Sequence, residues 1–341
     1  MSGLLRWRPT AWEGALFVLI IAAGIWSARL SPYYLSLDQI AFSTRHFIIP
    51  GLLALGLLIV VVVGEIDISL ASTLAVGAVL LAKCSAFGIP IYAAAPAAVM
   101  AGAALGTFNG VLVSRFALPS LAVTLGTMGA FRGLAFIIGS EIGYTDFDDP
   151  YLYIGNEQIG VVPVSFVIFI VVALCLAFLM HATVFGRRCF AIGNNQDAAR
   201  IAGVNVVGVK TMTYALAGGL AGLAAVVWVG QYGSARGDNA DGMILFVVTA
   251  VVLGGVEIRG GSGTVLGVVL ALLLLGTLRN GMGLANVAGP SQTVVFGLLL
   301  VFGVLRPIAV AALRRWRRPN RSQPDERESA SEEYSVNTAA K

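Results

Sequence analysis

The sequence predicts an all-α membrane protein of about ten transmembrane helices, and three observations carry that reading. Of the 341 residues, 57% are hydrophobic and 12% charged, whereas soluble domains carry about 25% charged residues. The mean hydropathy is +0.86, and the apolar residues fall into runs near the roughly 20 that one helix needs to cross a bilayer. Gly, Pro and charged residues separate the runs, as helix boundaries require. The net charge of +4 is no nucleic-acid signal, because Lys and Arg collect at the ends of apolar runs, where they orient a membrane protein. The lipid bilayer is therefore an expected partner and nucleic acid is not.

Taken in order, the first run covers 12–29 and follows Arg6 and Arg8. A cleaved signal peptide has this pattern too, but many further runs follow, and a retained first span fits better. The next runs are 47–64, 69–87, 90–113 and 120–139. Only Gly88 and Pro90 part the third from the fourth, so these form a tight hairpin. The remaining runs are 162–181, 212–232, 244–257, 263–279 and 291–310. Residues 1–318 then form one transmembrane domain, and the polar tail 319–341 is expected to be disordered.

Charge sets the expected sidedness. With the N-terminus inside, the inner ends hold Arg115, Arg187, Arg188, Arg200, Lys210, Arg259, Arg306 and the Arg314–Arg318 cluster. The loop 140–162 has Glu141, Asp146, Asp148, Asp149 and Glu157 with no Lys or Arg, and reads as external. An even number of spans places both termini in the cytoplasm.

An internal repeat is visible. Gly64–Ser72 aligns without gaps to Gly254–Ser262, and the match extends to Gly77 with Gly267. Six spans separate the copies, so they lie on one side as a parallel repeat. The first copy carries Glu65 and Asp67. Carboxylates at the edge of an apolar run usually face protein interior or water. One reading is a broken helix whose backbone and acids, with Ser69, line a transport path for a neutral polyol. The other is a cytoplasmic turn in which Asp67 caps the next helix.

The fifth run opens at Pro119 and contains Thr124, Thr127 and Arg132, which suit a polar cavity, although Arg132 also suits snorkelling to the outer interface. Gly126, Gly129 and Gly133 share one face and are expected to pack against another helix. The same holds for Ala217, Gly218, Ala221 and Gly222. Gln231, Tyr232, Arg236, Asp238, Asn239 and Asp241 read as a solvated loop or as part of an outer vestibule.

The longest polar interruption, within loop 182–211, contains Gly186, Arg187, Arg188, Gly193 and a short helix with its own caps. Asn194 or Asn195 supplies the N-cap. Asp197 suits the first turn, Ala198, Ala199 and Ile201 form the body beside Arg200, and Gly203 ends it. Gly186 and Gly193 are expected at turns. So short a helix does not persist on propensity alone and must dock on something, which makes it the expected partner contact.

Chemistry is conspicuous by absence. No phosphate-binding Gly-x-x-x-x-Gly-Lys-Ser/Thr segment occurs, so the chain is not expected to hydrolyse ATP. Cys84, Cys175 and Cys189 are scattered, and His46 and His181 are isolated; neither a disulfide, a metal site, a catalytic triad nor an enzyme activity is expected.

Three segments resemble the ribose/galactose-type sugar permeases of bacterial ATP-binding-cassette importers. They are Gly64-Glu65-Ile66-Asp67-Ile68-Ser69, then Pro119-Ser120 with Thr124-Leu125-Gly126-Thr127, and Thr183–Arg187 with Ala191–Asn195 and Ala198–Val204. The resemblance runs from about residue 45 to 310 and extends to rhamnose-type and autoinducer-2-type permeases. It departs at Glu65, where the family has Gly, and at Leu70-Ala71, where it has Val-Gly. The resemblance implies a permease paired with a second copy or a sister permease. Separate ATPase subunits would hold ATP and Mg, leaving no cofactor on this chain, and a periplasmic sugar-binding protein would deliver the cargo. The stretch Gly186, Arg187, Gly193, Asn195, Asp197, Ala198, Ala199, Arg200 and Gly203 would then be the coupling element, its Ala-rich face seated in a groove of the ATPase. A location in the bacterial inner membrane follows. Two other readings stand beside it: an ion-coupled secondary carrier binding its ion at Glu65 and Asp67, and, more remotely, a membrane enzyme or lipid-handling protein using the external acids.

Overall fold

The computed structural model describes residues 11–30, 34, 36–139 and 142–316. Ten of its helices follow the ten apolar runs: α1 (Ala11–Leu30), α2 (Leu37–Val62), α3 (Leu70–Ala86), α4 (Ile91–Ser114), α5 (Ser120–Gly139), α7 (Val164–Ala182), α10 (Val206–Tyr232), α11 (Met243–Leu253), α12 (Val265–Leu284) and α13 (Gly289–Trp316). Between them lie α6 (Asp149–Asn156), α8 (Val184–Asn194), α9 (Gln196–Ile201) and the hairpin of β1 (Gln158–Ile159) with β2 (Val162–Pro163). Among the described residues, eight helices are long and apolar enough to cross a membrane, while α3 and α11 are shorter. At 1.5 Å per residue α11 reaches about 16 Å, half of a roughly 30 Å hydrocarbon core. Both short helices border a repeat copy, where the chain leaves the helix.

Several boundaries differ from the sequence reading: α2 begins at Leu37 rather than at 47, and α12 and α13 run on to Leu284 and Trp316. The run 244–257 ends at Leu253, because Gly255 turns to φ +88 and its amide closes onto Val252. The run 212–232 starts at Val206, where the Asn205 side chain caps the helix by accepting from the Gly208 amide at 2.9 Å. The external loop holds the short helix α6 rather than coil alone. Glu141, Arg6, Arg8 and the tail 319–341 lie outside the described residues.

Helix α2 is the hub. From 47 to 62 it is apolar on all sides, its membrane window is 89% buried, and α7, α10, α11 and α12 surround it. The closest seam joins α4 to α10. A Cβ on Gly102 would strike the backbone of Gly218, one on Gly106 that of Tyr214, and one on Gly222 that of Ala98. The backbones touch because only hydrogen atoms separate them, as small residues allow. Gly218 and Gly222 therefore pack as expected. Gly126, Gly129 and Gly133 do not: nothing lies within 4 Å of a Cβ built on any of them. Helix α5 instead buries Val123, Thr124, Thr127, Phe131 and Ala135, which turns its glycines outward.

The two ends of the bundle differ in charge. One gathers the loops carrying Arg115, Arg187, Arg188, Arg200, Lys210 and Arg259. There Trp12 of α1 donates its indole N–H to Leu253 O at 2.8 Å and stacks under Arg306 at 4.1 Å. The other end gathers the 142–163 and 233–242 loops, bridged by the Tyr144 and Ala235 backbones, and mixes Asp146, Asp148, Asp149, Glu157, Asp238 and Asp241 with Arg45, Lys83, Arg132 and Arg236.

The candidate coupling and path site

The two repeat copies meet at the basic end. The Gly261 amide donates to Val62 O at 2.9 Å, so both copies lie on the same side. Their ungapped alignment shifts, however. Gly64 (φ +82) and Gly255 (φ +88) are the matching left-handed caps. The Glu65 amide reaches back to Val60 O just as the Val256 amide reaches Val251 O. Cap geometry thus equates Gly64 with Gly255 rather than with Gly254, and the second copy takes a longer path to its next helix, α12.

In the first copy, residues 64–69 form an unwound bridge between α2 and α3, several of whose polar groups bond to other helices, while Asp67 Oδ2 is buried without a partner among the described residues. From α5, the Ser120 hydroxyl accepts from the Ile66 amide at 3.3 Å. Ile66 O in turn accepts from the Thr124 hydroxyl at 3.3 Å and from the Tyr214 hydroxyl of α10 at 3.4 Å. Asp67 Oδ1 accepts from the Ser69 amide at 2.9 Å and from its hydroxyl at 2.6 Å. The Asn109 amide of α4 donates to Ser69 Oγ at 2.9 Å. Asp67 is 1% exposed. Burial pushes its carboxyl up to about 6, against the pull of the Ser69 bonds. Glu65 turns the other way and pairs with Lys210 Nζ at 2.5 Å, and the same ammonium donates to Gln196 Oε1 at 2.6 Å. A polar cavity of about 270 Å³ beside this pair is lined by Glu65, Ser114, Ser120, Gln196, Arg200 and Lys210 among others.

The coupling stretch is two helices, not one. Thr183 caps α8 and Asn195 caps α9, its side chain accepting from the Ala198 amide at 2.9 Å. Asn194 instead donates to Phe190 O and Gly261 O. Gly186 and Gly193 lie inside α8 rather than at turns. Their missing side chains admit backbone: Met180 against Gly186, and Val62 with Gly261 against Gly193. At the other end of α9, Gly203 (φ +82) closes the helix, its amide donating to Arg200 O at 3.0 Å. Ala199 is 5% exposed and faces its own protomer. The outward surface of α9 is Asp197, Ala198, Arg200 and Ile201, the last 88% exposed. Arg187 and Arg188 are exposed on α8.

Of the residues assigned to the path by sequence, Glu65, Asp67, Ser69 and Thr124 converge, and the Thr127 hydroxyl lies one turn on, donating to Thr124 O. Arg132 does not join them. It lies about 12 Å further along α5, where it donates to Gly237 O at 2.8 Å and Asn239 O at 2.7 Å, stapling the acidic-end loop. Asn109, Gln196, Lys210 and Tyr214 complete the site and were not singled out by sequence. Lys210 shows there only as one more basic-end charge, and a lone amide or phenol inside an apolar run carries no local pattern.

The family model that matches the chain, over residues 39–304, is described as branched-chain amino acid transport system / permease component. Among curated proteins, the chain is similar to the "Autoinducer 2 import system permease protein LsrD" of Enterobacter sp. (strain 638), 34% identical over 86% of this chain and 92% of that one. It is similar to the protein of the same name from Klebsiella pneumoniae, 35% identical over 86% and 90%. For that of Photorhabdus temperata the figures are 34% over 92% and 96%. No solved structure matches. These relatives are import-system permeases rather than ion-coupled carriers, which sets the carrier reading aside. The chain belongs to this permease family and is a membrane-spanning permease subunit of an ATP-binding-cassette importer.

Proposed function

We propose that this subunit carries a small sugar-like polyol, autoinducer-2 or a close chemical analogue, inward across the bacterial inner membrane. A separate ATPase docks on α9 and supplies the ATP and Mg chemistry. A periplasmic binding protein delivers the solute to the acidic end, and a second copy or a sister permease covers the open face of α5. The names of the relatives support the solute class. The excess of Arg and Lys at the α8–α9 end supports a cytoplasmic position for that end and for both termini.

One observation carries the reading. The polar element α8–α9 is held rigidly to both repeat copies on its inner side, through Gly193 and Lys210, and presents an apolar residue, Ile201, to the outside. A six-residue helix that keeps its shape while exposing isoleucine is built to be covered. The test is co-purification of an ATPase through a tag on the tail 319–341. Ile201→Asp is expected to lose the ATPase while the permease stays in the membrane. Retention of full ATPase binding by that variant would remove α9 as the dock. Ala199→Asp is the wrong probe, because Ala199 packs inward and its loss damages the protomer itself.

A further inference from the structure

Lys210 does more than hold α9 in place. It is 7% exposed, at the start of α10, and its ammonium holds two other chain segments at once: Glu65 of the unwound bridge at 2.5 Å and Gln196 in the first turn of α9 at 2.6 Å. An ammonium is a compact point charge on a flexible stem, so it can follow one partner when the other shifts. A buried ion pair adds little stability over apolar packing, and its better attested use is to specify one of two arrangements. The partners here are well placed for that. Glu65 is chain neighbour to Ile66, whose amide and carbonyl are bonded to α5 through Ser120 and Thr124 and to α10 through Tyr214. Asp67 continues the same bridge to Ser69 and Asn109. The chain itself connects α9 to α5 the long way through the sequence, whereas the short route passes through four residues: Gln196, Lys210, Glu65 and Ile66.

We propose that Lys210 is the positioning residue that transmits displacement of α9 to α5, with Gln196 as its input contact and Glu65 as its output contact. The proposal rests on the ATPase-driven reading above. It explains why a carboxylate occupies position 65: among the described residues, Lys210 pairs with no other acid. The discriminating variant is Gln196→Leu. It leaves the Glu65–Lys210 pair intact, so the protomer folds, and severs only the link to α9.

The readout needs no solute. Gly126→Cys places a thiol on the α5 face assigned above to the second permease, where no atom of this chain's described residues lies within 4 Å, in a background carrying Cys84→Ala, Cys175→Ala and Cys189→Ala. The full complex with its co-purified ATPase is treated with N-ethylmaleimide, with and without ATP and vanadate. The parent is expected to change its labelling rate roughly threefold or more, an ordinary size for coupling between sites. Gln196→Leu, Glu65→Gln and Lys210→Met are expected to keep the ATPase bound and lose the change, and Gln196→Glu to restore it. A purely structural role would lower the yield of complex and leave the response of what remains intact. A parent-like response in Gln196→Leu overturns the proposal. A parent that binds no ATPase, or that binds it and does not respond, overturns the functional reading and this inference with it.

Discussion

Ile66 has no side-chain chemistry, yet its peptide groups set much of the local order. An unwound residue between two helices has an amide and a carbonyl that no ladder satisfies. Ser120 is the acceptor for the amide, whereas the carbonyl receives two hydroxyls. Ser120→Ala therefore orphans a donor and should lower stability by about 1–3 kcal/mol, while Tyr214→Phe should cost less because Thr124 still serves the carbonyl. Thermal unfolding in detergent ranks the two, and the reverse order would contradict the bonding described. Asp67 makes a prediction in pH. Its carboxyl is raised from 3.8 to about 6 by burial, so the fold favours the neutral form. That contribution is fully present below 3.8 and is lost as pH rises through about 6. The melting temperature is expected to fall between pH 4.5 and 7.5 by more in the parent than in Asp67→Asn. An identical fall in both would place the titration elsewhere. In the sequence Glu65 and Asp67 stand out as acids at an apolar edge, with no sign that one is sealed in and the other paired with Lys210, because tertiary partners decide that.

At the scale of the element, the glycines of α4, α5 and α10 look alike in sequence and behave differently. Gly218 and Gly106 lie where backbones touch, and Gly126 and Gly129 face open space. Gly218→Val is expected to cost about 3 kcal/mol or more through overpacking and to abolish accumulation in the membrane. Gly126→Ala should leave accumulation unchanged. Expression levels by fluorescence-detected chromatography decide between them. Small-residue spacing announces that a helix is able to pack closely, without saying which helix arrives. The caps were more legible. Gly203 and the pair Asn194 and Asn195 marked the ends of α9 because capping is local chemistry. The structure chose Asn195 and used Asn194 to hold Gly261. The shift in the repeat has a related cause: a helix cap fixes register by backbone conformation, which an ungapped comparison of side chains does not see.

For the molecule as a whole, ten apolar runs became ten helices, eight of them long enough to cross a bilayer, because an apolar run is legible in composition alone. The polar helices α6 and α8 escaped, one as loop and the other as turns, since neither is long or apolar. The proposed sidedness rests on the clustering of Arg and Lys at the end that holds α9. Cysteines placed at Arg200 and Arg259 should react with a membrane-impermeant maleimide only in inverted vesicles, and one at Glu157 only in intact cells. The opposite pattern would invert the topology and exclude α9 from contact with a cytoplasmic ATPase.

The α4–α10 seam has a consequence for how the chain is made. Because Gly102, Gly106 and Gly110 admit nothing bulkier than the backbone of α10, α4 presents a bare peptide groove until its mate emerges. Roughly ninety residues are translated in between, about 5–20 s at ordinary elongation rates. During that interval the groove meets lipid tails or an insertase. A nascent chain halted before Val206 should therefore be captured by membrane chaperones at α4, and one released after Tyr232 should not.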